Sequence, residues 1–259
     1  MPDSDDRPVT RAELIESLNA RGYWPATGNT TKRPGWSNFS FNQKKKDGEL
    51  ALRDAILLLQ RTYGLEETGE PNTELIAFLS QPHCAVPDRP GPAGLRSGGV
   101  PWANPTVTYQ WMSFLPEIDQ SAQERAFERA FATWSDACSI RFTRVDKKGD
   151  IRIVCGAGAH GDLFPFDGLG KELAHAFYPD WPDKLRGDVH VDAAEDWSVA
   201  EVTPSGHFDL ESVVLHEIGH AIGLAHSTVP ESVMFPNYSG VVRRLGAKDA
   251  LTANALYPG

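Results

Sequence analysis

The stretch from residue 216 to residue 226, His-Glu-Ile-Gly-His-Ala-Ile-Gly-Leu-Ala-His, limits the fold and chemistry of this chain more than any other. On a helix, His216 and His220 lie one turn apart on the same face, so both imidazoles can bind one metal ion. Glu217 then projects beside the ion rather than onto it, where its carboxylate can hold a water molecule. The pattern therefore predicts a helix that carries two metal ligands and a proton acceptor.

The end of the same stretch supplies a third ligand. Gly223 tolerates a positive φ, so the helix can stop and the chain can turn to bring His226 beneath the ion. Three neutral imidazoles leave zinc with one open position, which is typical of a catalytic site and not of a closed structural one. Zinc lowers the pKa of a water in that position towards about 7, and Glu217 can accept its proton. We predict a catalytic zinc at His216, His220 and His226, with Glu217 as general base.

A methionine turn follows the zinc-binding stretch. It is the segment Ser-Val-Met-Phe-Pro at residues 232–236, and metzincin metallopeptidases place such a turn beneath the zinc. The chain resembles these peptidases, and Ser227, directly after the third histidine, is typical of their matrixin (matrix metalloproteinase) branch. The resemblance implies that Met234 lies under the zinc. It also implies that Pro236 and Tyr238 form a wall of the pocket for the residue after the scissile bond.

The resemblance implies an α+β fold in two parts. A small three-helix propeptide precedes a catalytic domain with three helices and a twisted, five-stranded, mostly parallel sheet. One antiparallel edge strand of that sheet lies beside the substrate cleft. Residues 58–69 are similar to matrixin propeptides and to the peptidoglycan-binding-like fold that they share. We expect the propeptide over residues 1–98 and the catalytic domain over residues 99–259.

Apolar residues recur with helical or alternating spacing along much of the chain. This periodicity predicts helices over Leu50–Tyr63, over Asn72–Leu79, from a cap at Ser121, over Leu210–Leu224 and over Ala247–Leu256. It predicts strands over Thr106–Trp111, Ile140–Val145 and Asp150–Val154.

The segment Pro-His-Cys-Ala-Val-Pro-Asp at residues 82–88 resembles the cysteine switch of matrixins, Pro-Arg-Cys-Gly-x-Pro-Asp. A thiolate is a strong zinc ligand and takes the position that the water needs. The resemblance therefore implies that Cys84 binds the catalytic zinc in the zymogen. His83 stands where the motif has arginine, and it cannot reproduce the bidentate carboxylate pair of an arginine. Ala85 stands where the motif has glycine, and we expect weaker latency from the two departures.

Residues 160–197 are rich in side chains that bind metals. Three histidines and one aspartate offer a closed tetrahedral set for a structural zinc, and they lie in segments that match the zinc-carrying segments of matrixins: His160, Asp162, His175 and His190. A calcium ion takes six to eight oxygen ligands, and the resemblance implies one such site from Asp167, Gly168, Gly170, Glu172, Asp192 and Glu195. A second calcium involving Asp150 and Asp188 is a further implication.

Residues 89–105 are rich in proline and glycine, which predicts an accessible linker. Matrixins favour proline at the third position before the cut and a large apolar residue after it. The stretch Pro-Ala-Gly-Leu at residues 92–95 offers that pattern, so we predict self-cleavage between Gly94 and Leu95. A trypsin-like cut after Arg96 is the alternative.

The composition of the chain limits the classes of partner that it can bind. The net charge of −10 argues against nucleic acid and anionic membranes, and no apolar run is long enough for a transmembrane helix. The first residues show no signal peptide, although the resemblance implies secretion; we expect a monomer. Three cysteines are too few for a disulfide scaffold, and Cys138 and Cys155 can either pair or stay free.

These features predict a latent zinc-dependent endopeptidase that acts on protein or peptide substrates. One alternative is a binding protein whose helical module recognises peptidoglycan and whose zinc site is not catalytic. Another is a metal-dependent amidase on cell-wall peptides, which shares the chemistry but not the methionine turn.

Overall fold

The computed structural model describes residues 9–24, 47–89 and 99–259. It separates into two compact units, and the segment 82–86 belongs with the second unit although the helical unit continues after it at residue 87. The predicted cleavage site at Gly94–Leu95 and the alternative at Arg96 lie outside the described residues.

The described part of the first unit consists of three helices: α1 (Arg11–Ala20), α2 (Asp47–Tyr63) and α3 (Thr73–Leu79). The side chain of Thr10 caps α1 and is joined to Glu13 in a reciprocal capping box. Asn72 caps α3 by accepting a hydrogen bond from the backbone N–H of Leu75 at 2.9 Å. Helix α2 begins at Asp47, before the predicted Leu50. The first turn carries no apolar periodicity in its sequence, so the pattern could not mark it.

The second unit is built on a six-stranded sheet. Its strands are β1 (His83–Cys84), β2 (Thr106–Trp111), β3 (Arg141–Arg144), β4 (Ile151–Gly156), β5 (Glu172–Ala176) and β6 (Val189–Asp192), in the order β1-β5-β6-β4-β2-β3. Only the β5–β6 pair of this sheet is antiparallel. The predicted α+β fold with a mostly parallel sheet is confirmed. The sheet has one more strand than predicted, because the segment around Cys84 adds itself to the edge of β5.

Three helices and a small two-stranded ribbon complete this unit: α4 (Gln120–Ala137), α5 (Leu210–Ala221), α6 (Ala247–Leu256), β7 (Trp197–Ser198) and β8 (Phe208–Asp209). Strand β4 alternates buried and half-buried residues, and every residue of β5 and β6 is buried. Trp134 on α4 is fully buried and donates its indole N–H to the carbonyl of Leu215 on α5 at 2.9 Å. The core therefore fixes α5, and with it the residues that α5 carries.

Two helix boundaries of the second unit also differ from the predictions. Asp119, and not Ser121, caps α4, since the Asp119 carboxylate accepts from the backbone N–H of Ala122 at 3.1 Å and from the Ser121 hydroxyl at 2.6 Å. Helix α5 ends at Ala221 rather than Leu224, because Gly223 already has φ of +104°. A side chain at Gly223 would also meet the Val100 carbonyl at 2.6 Å.

All three cysteines are buried and none of them forms a disulfide in this structure, so Cys138 and Cys155 do not pair. Burial raises the pKa of Cys138, and it raises the pKa of Cys155 to about 12. Both thiols therefore stay protonated and unreactive near neutral pH. Within the described residues, no helix has the length and hydrophobicity that crossing a bilayer requires.

Candidate active site and metal centres

Helix α5 and the turn after it bring the three predicted zinc ligands together. The ring centroids of His216 and His220 are 4.8 Å apart. The ring of His226 lies 5.2 Å from that of His216 and 4.6 Å from that of His220. The ligand atoms of these histidines and of Cys84 all lie within 4.8 Å of one another. The geometry groups four side chains that could bind zinc around one point.

The hydrogen bonds of two of these histidines fit a metal between them. Nδ1 of His216 lies 2.7 Å from the carbonyl oxygen of Val233, and Nδ1 of His220 lies 2.8 Å from that of Leu224. A carbonyl only accepts, so each Nδ1 carries the proton and each neutral ring directs the lone pair of Nε2 inwards. The two Nε2 atoms are 3.0 Å apart, a repulsive arrangement that a shared cation would relieve.

Burial favours the neutral form of His220, the form that can bind a metal. It lowers the pKa of His220 well below the ordinary value, and the neighbouring rings of His226 and His216 lower it further. A metal ligand must be deprotonated. His220 can therefore bind zinc without first losing a proton.

The methionine turn lies against the zinc helix. The structure places Met234 so close to α5 that a Cβ atom on Gly219 would lie 2.3 Å from its sulfur. Asp249 on α6 holds the turn, since its carboxylate accepts from the backbone N–H of Val233 at 2.9 Å and from the Ser232 hydroxyl. Gly219, the first glycine of the motif, therefore has a packing reason to lack a side chain.

Glu217 and Cys84 face each other at this centre. Burial raises the pKa of Glu217 to about 8, while a hydrogen bond with the Cys84 thiol acts in the opposite direction. The Cys84 sulfur also accepts from the backbone N–H of Val86 at 3.3 Å. The thiol thus occupies the space between the proposed general base and the three imidazoles.

The backbone around Cys84 is held on both sides as a strand. On one side, His83 N–H donates to Lys171 at 2.7 Å and Ala85 N–H donates to Ala174 at 2.9 Å. On the other, Cys84 N–H donates to the carbonyl of Pro236 at 2.9 Å, and Tyr238 N–H donates to that of Pro82 at 2.8 Å. The segment therefore fills a slot between β5 and residues 236–238.

A pocket that Pro236 and Tyr238 line opens beside this slot. The cleft encloses about 450 Å³, including space open to solvent, and its walls include Leu173, Val213, Val233, Phe235, Pro236 and Tyr238. The Tyr238 hydroxyl accepts a hydrogen bond from the backbone N–H of Asp209 at 3.0 Å. The lining is mostly apolar, and it reaches His216 and Glu217 at one end.

The four predicted ligands of a structural zinc also converge. Oδ2 of Asp162 lies 3.0 Å from Nε2 of His160, 2.6 Å from Nε2 of His175 and 2.8 Å from Nδ1 of His190. Nδ1 of His160 donates to the Gly158 carbonyl at 2.8 Å. Its Nε2 is therefore an acceptor that faces an acceptor oxygen, a contact that a cation makes favourable.

Charge supports the same interpretation of this cluster. Burial would raise the pKa of Asp162, but the surrounding imidazoles of His160, His175 and His190 hold it well below its ordinary range. Burial lowers the pKa of His175 to about 3, which keeps this imidazole neutral. One carboxylate and three imidazoles at these spacings fit tetrahedral zinc.

The predicted calcium ligands gather around a glycine turn. Oδ2 of Asp192 and Oε2 of Glu195 are buried without a hydrogen-bond partner in the described residues. Burial raises the pKa of Asp192, and burial together with the nearby Asp192 and Asp167 charges raises the pKa of Glu195 to about 7. The turn contacts them where Gly170 N–H donates to Glu195 at 2.6 Å. Clustered carboxylates with unmet acceptors fit a hard cation.

The carboxylates of the predicted second calcium site already have protein partners. Both oxygens of Asp188 accept from Arg152, and Asp150 accepts from the backbone N–H of Thr108 at 2.9 Å and from its hydroxyl at 2.6 Å. An arginine satisfies a buried aspartate without a metal. These contacts give the second site no support.

Sequence reasoning missed three residues that support the site. Asp209 caps α5 and pairs with Arg243, and Asp249 holds the methionine turn. Their partners are distant in sequence, so no local pattern marks them. The acidic residue directly before the apolar run of α5 is an N-cap signal that could have identified Asp209.

Fold and site together define a class, the zinc peptidases that combine a three-histidine centre with a methionine turn. The sequence profile of the Matrixin peptidase family matches residues 101–258. The chain therefore belongs to the matrixin family of zinc metalloendopeptidases.

Similarity to individual proteins agrees with this family. Neutrophil collagenase of Homo sapiens is 37% identical over 200 residues, which cover 77% of this chain and 41% of the relative. Macrophage metalloelastase of Rattus norvegicus is 34% identical over 222 residues, 83% of this chain and 45% of the relative. Interstitial collagenase of Bos taurus is 35% identical over 240 residues, 87% of this chain and 50% of the relative. The chain spans half or less of the length of these relatives.

Proposed function

We propose that this chain is a latent endopeptidase that hydrolyses protein substrates at the His216, His220 and His226 centre. The observation that carries the proposal is the meeting of Glu217 and Cys84 at the open side of that centre. A purely structural zinc site does not need a buried proton acceptor such as Glu217. An enzyme that is always active does not need an inhibitory thiol such as Cys84.

Each residue has a role in this proposal. The three imidazoles would hold zinc, which supplies a Lewis acid for the scissile carbonyl and lowers the pKa of a bound water. Glu217 takes the proton of the attacking water and returns it to the leaving amine. Its burial makes the carboxyl a strong enough base to accept that proton. Glu217 thus serves first as the general base and then as the general acid in cleavage of the peptide bond.

The slot that Cys84 occupies supports a peptide as substrate. The carbonyls of Lys171, Ala174 and Pro236 and the N–H of Tyr238 bind only main-chain atoms there. Main-chain recognition of an extended segment tolerates different side chains. An extended stretch of a protein substrate can make the same contacts once the segment leaves.

Latency follows from the same geometry. While Cys84 lies between Glu217 and the histidines, a water cannot occupy that position. We propose that release of residues 82–86 starts activity, and that proteolysis between Gly94 and Leu95 or after Arg96 makes the release permanent. We further propose a secreted protein that binds two zinc ions and one calcium ion.

A peptide assay with metal control tests this function. The full chain is incubated with a quenched Pro-x-Gly-Leu-type peptide before and after treatment with an organomercurial, which binds the Cys84 sulfur and so prevents it from binding zinc. We expect the rate of hydrolysis to rise strongly after treatment, to be lost with a zinc chelator and to return with added zinc. Two bound zinc ions without hydrolysis in either state would contradict the proposal. Retention of that protein on insoluble peptidoglycan would then favour the binding module.

A further inference from the structure

We infer that the ion pair between Asp209 and Arg243 determines which side chains the pocket beside Tyr238 accepts. The inference rests on the proposed peptidase function and adds a positioning pair to it. Neither residue touches the zinc-binding histidines, and neither has a role in the chemistry above. Their contacts connect the start of α5 to the chain that closes the pocket.

Arg243 is fastened in several directions. Its Nε donates to Asp209 Oδ1 at 3.0 Å, and the guanidinium also donates to Oδ2. It further donates to the carbonyls of Ala200 at 2.6 Å and Glu201 at 3.3 Å. A guanidinium is suited to such a fork because its donors lie in one plane. Arg243 thus ties the irregular chain after Tyr238 to the loop before β8.

Asp209 connects that fork to the walls of the pocket. It is fully buried, and its Oδ1 accepts from the backbone N–H of Ser212 at 2.9 Å and from the Ser212 hydroxyl. The Ser212 hydroxyl in turn accepts from the backbone N–H of Val242 at 2.8 Å. The N–H of Asp209 holds the Tyr238 hydroxyl. Ser212, Val242 and Tyr238 all line the pocket.

Charge has the same consequence. A buried carboxylate needs a paired cation, and Asp209 holds Arg243 by both oxygens. The guanidinium is thereby engaged outside the pocket, whose lining includes the carboxyl of Glu217 and the imidazoles of His83 and His216 but no lysine or arginine. The pocket therefore favours a medium-sized apolar side chain, and its outer wall yields if the pair is broken.

Two variants separate this role from general stability. Arg243→Ala removes the fork. Asp209→Asn removes the charge but keeps a good helix cap, since asparagine caps helices as well as aspartate does. Arg244→Ala is the matched control, because Arg244 is the next residue and is exposed. Arg243→Lys keeps a charge without the fork and should give an intermediate result.

The experiment compares two peptides that differ only in the residue after the scissile bond, leucine in one and tryptophan in the other. The full-length chain is activated with mercurial, and kcat/KM is measured for each. In Arg243→Ala and in Asp209→Asn we expect the leucine-to-tryptophan ratio of kcat/KM to fall about tenfold, the scale on which apolar pockets discriminate between side chains. We expect Arg244→Ala to keep the original ratio. A loss of folding alone would lower both values together and leave the ratio unchanged.

Two failures are distinguishable. If the activated parent chain hydrolyses neither peptide, the proposed function is wrong and this inference falls with it. If the parent is active and both variants keep its leucine-to-tryptophan ratio, the inference is wrong and the peptidase proposal stands.

Discussion

Nδ1 of His216 lies 2.7 Å from the carbonyl oxygen of Val233, the residue before Met234. This contact joins the zinc helix to the methionine turn and fixes the imidazole in the form that presents Nε2 to a metal. The same residue is held from behind by Asp249, which accepts the Val233 N–H at 2.9 Å. The orientation of a proposed zinc ligand therefore depends on a carboxylate that lies outside the histidine cluster.

This dependence predicts the effect of Asp249→Asn. The carboxylate accepts from Ser232, Val233 and Gly246, and an amide would present donors to some of these groups. We expect the free energy of unfolding to fall by about 1–3 kcal/mol, the usual cost of unsatisfied buried groups, and zinc to bind more weakly. Urea unfolding and competition with a zinc-binding dye measure both. Asp136→Asn, at an exposed position of α4, is the control; unchanged zinc affinity in Asp249→Asn would contradict the account.

Gly219→Ala tests the close approach of the methionine turn. The added Cβ would collide with the Met234 sulfur, and we expect a loss of about 1–3 kcal/mol in unfolding free energy, as for other overpacked cores. A double-mutant cycle with Met234→Ala removes the colliding atoms, so the double variant should lose less than the sum of the single losses. Simple additivity in denaturant unfolding would show that the two residues do not meet.

Removal of one ligand from the second histidine cluster should lower the zinc content. We expect His175→Ala to bind one zinc ion fewer than the parent chain and to melt at a lower temperature, because the other buried ligands lose their cation. His207→Ala is the matched control, since His207 is exposed. Atomic emission measures the zinc content of each variant. An unchanged zinc content in His175→Ala would contradict the proposed structural zinc.

Calcium should stabilise the chain through Asp192 and Glu195. In the parent chain we expect calcium to raise the melting temperature after chelation, because it satisfies buried carboxylate oxygens that have no other partner. Glu195→Gln should lose most of that increase, whereas Glu201→Gln, at an exposed position, should keep it. Scanning calorimetry with and without calcium tests this, and an equal response in both variants would rule out the predicted ligand.

The clustering of the proposed metal ligands could be predicted because their sequence pattern is local. The spacing of His216, His220 and His226 follows from the helix repeat and a glycine turn, and residues 160–190 carry ligand types at recognisable spacing. The mostly parallel sheet came from resemblance rather than from periodicity. The residues that support the site, such as the Asp209–Arg243 pair, make contacts between segments that are distant in sequence. No rule about local spacing could predict that pair.

The sequence did not reveal that Cys84 lies on a strand. A two-residue strand has no detectable alternation, and its formation depends on the free edge of β5. The pairing uses backbone atoms of residues 82–85, which does not depend on the side chain at position 83. Weaker latency caused by His83 and Ala85 stays a prediction, and backbone pairing is the reason that some latency should survive.

The most direct test of the central claim is the peptide hydrolysis rate of Cys84→Ala, measured on the intact chain without mercurial or protease. We expect it to be active while the parent chain and the buried-thiol control Cys138→Ala stay latent. Adding Glu217→Gln to Cys84→Ala should lower the rate by about 10²–10⁴ at equal zinc content. A Cys84→Ala chain that remains inactive with its zinc bound would contradict the lock, and a double variant that hydrolyses at the single variant's rate would contradict Glu217 as the base.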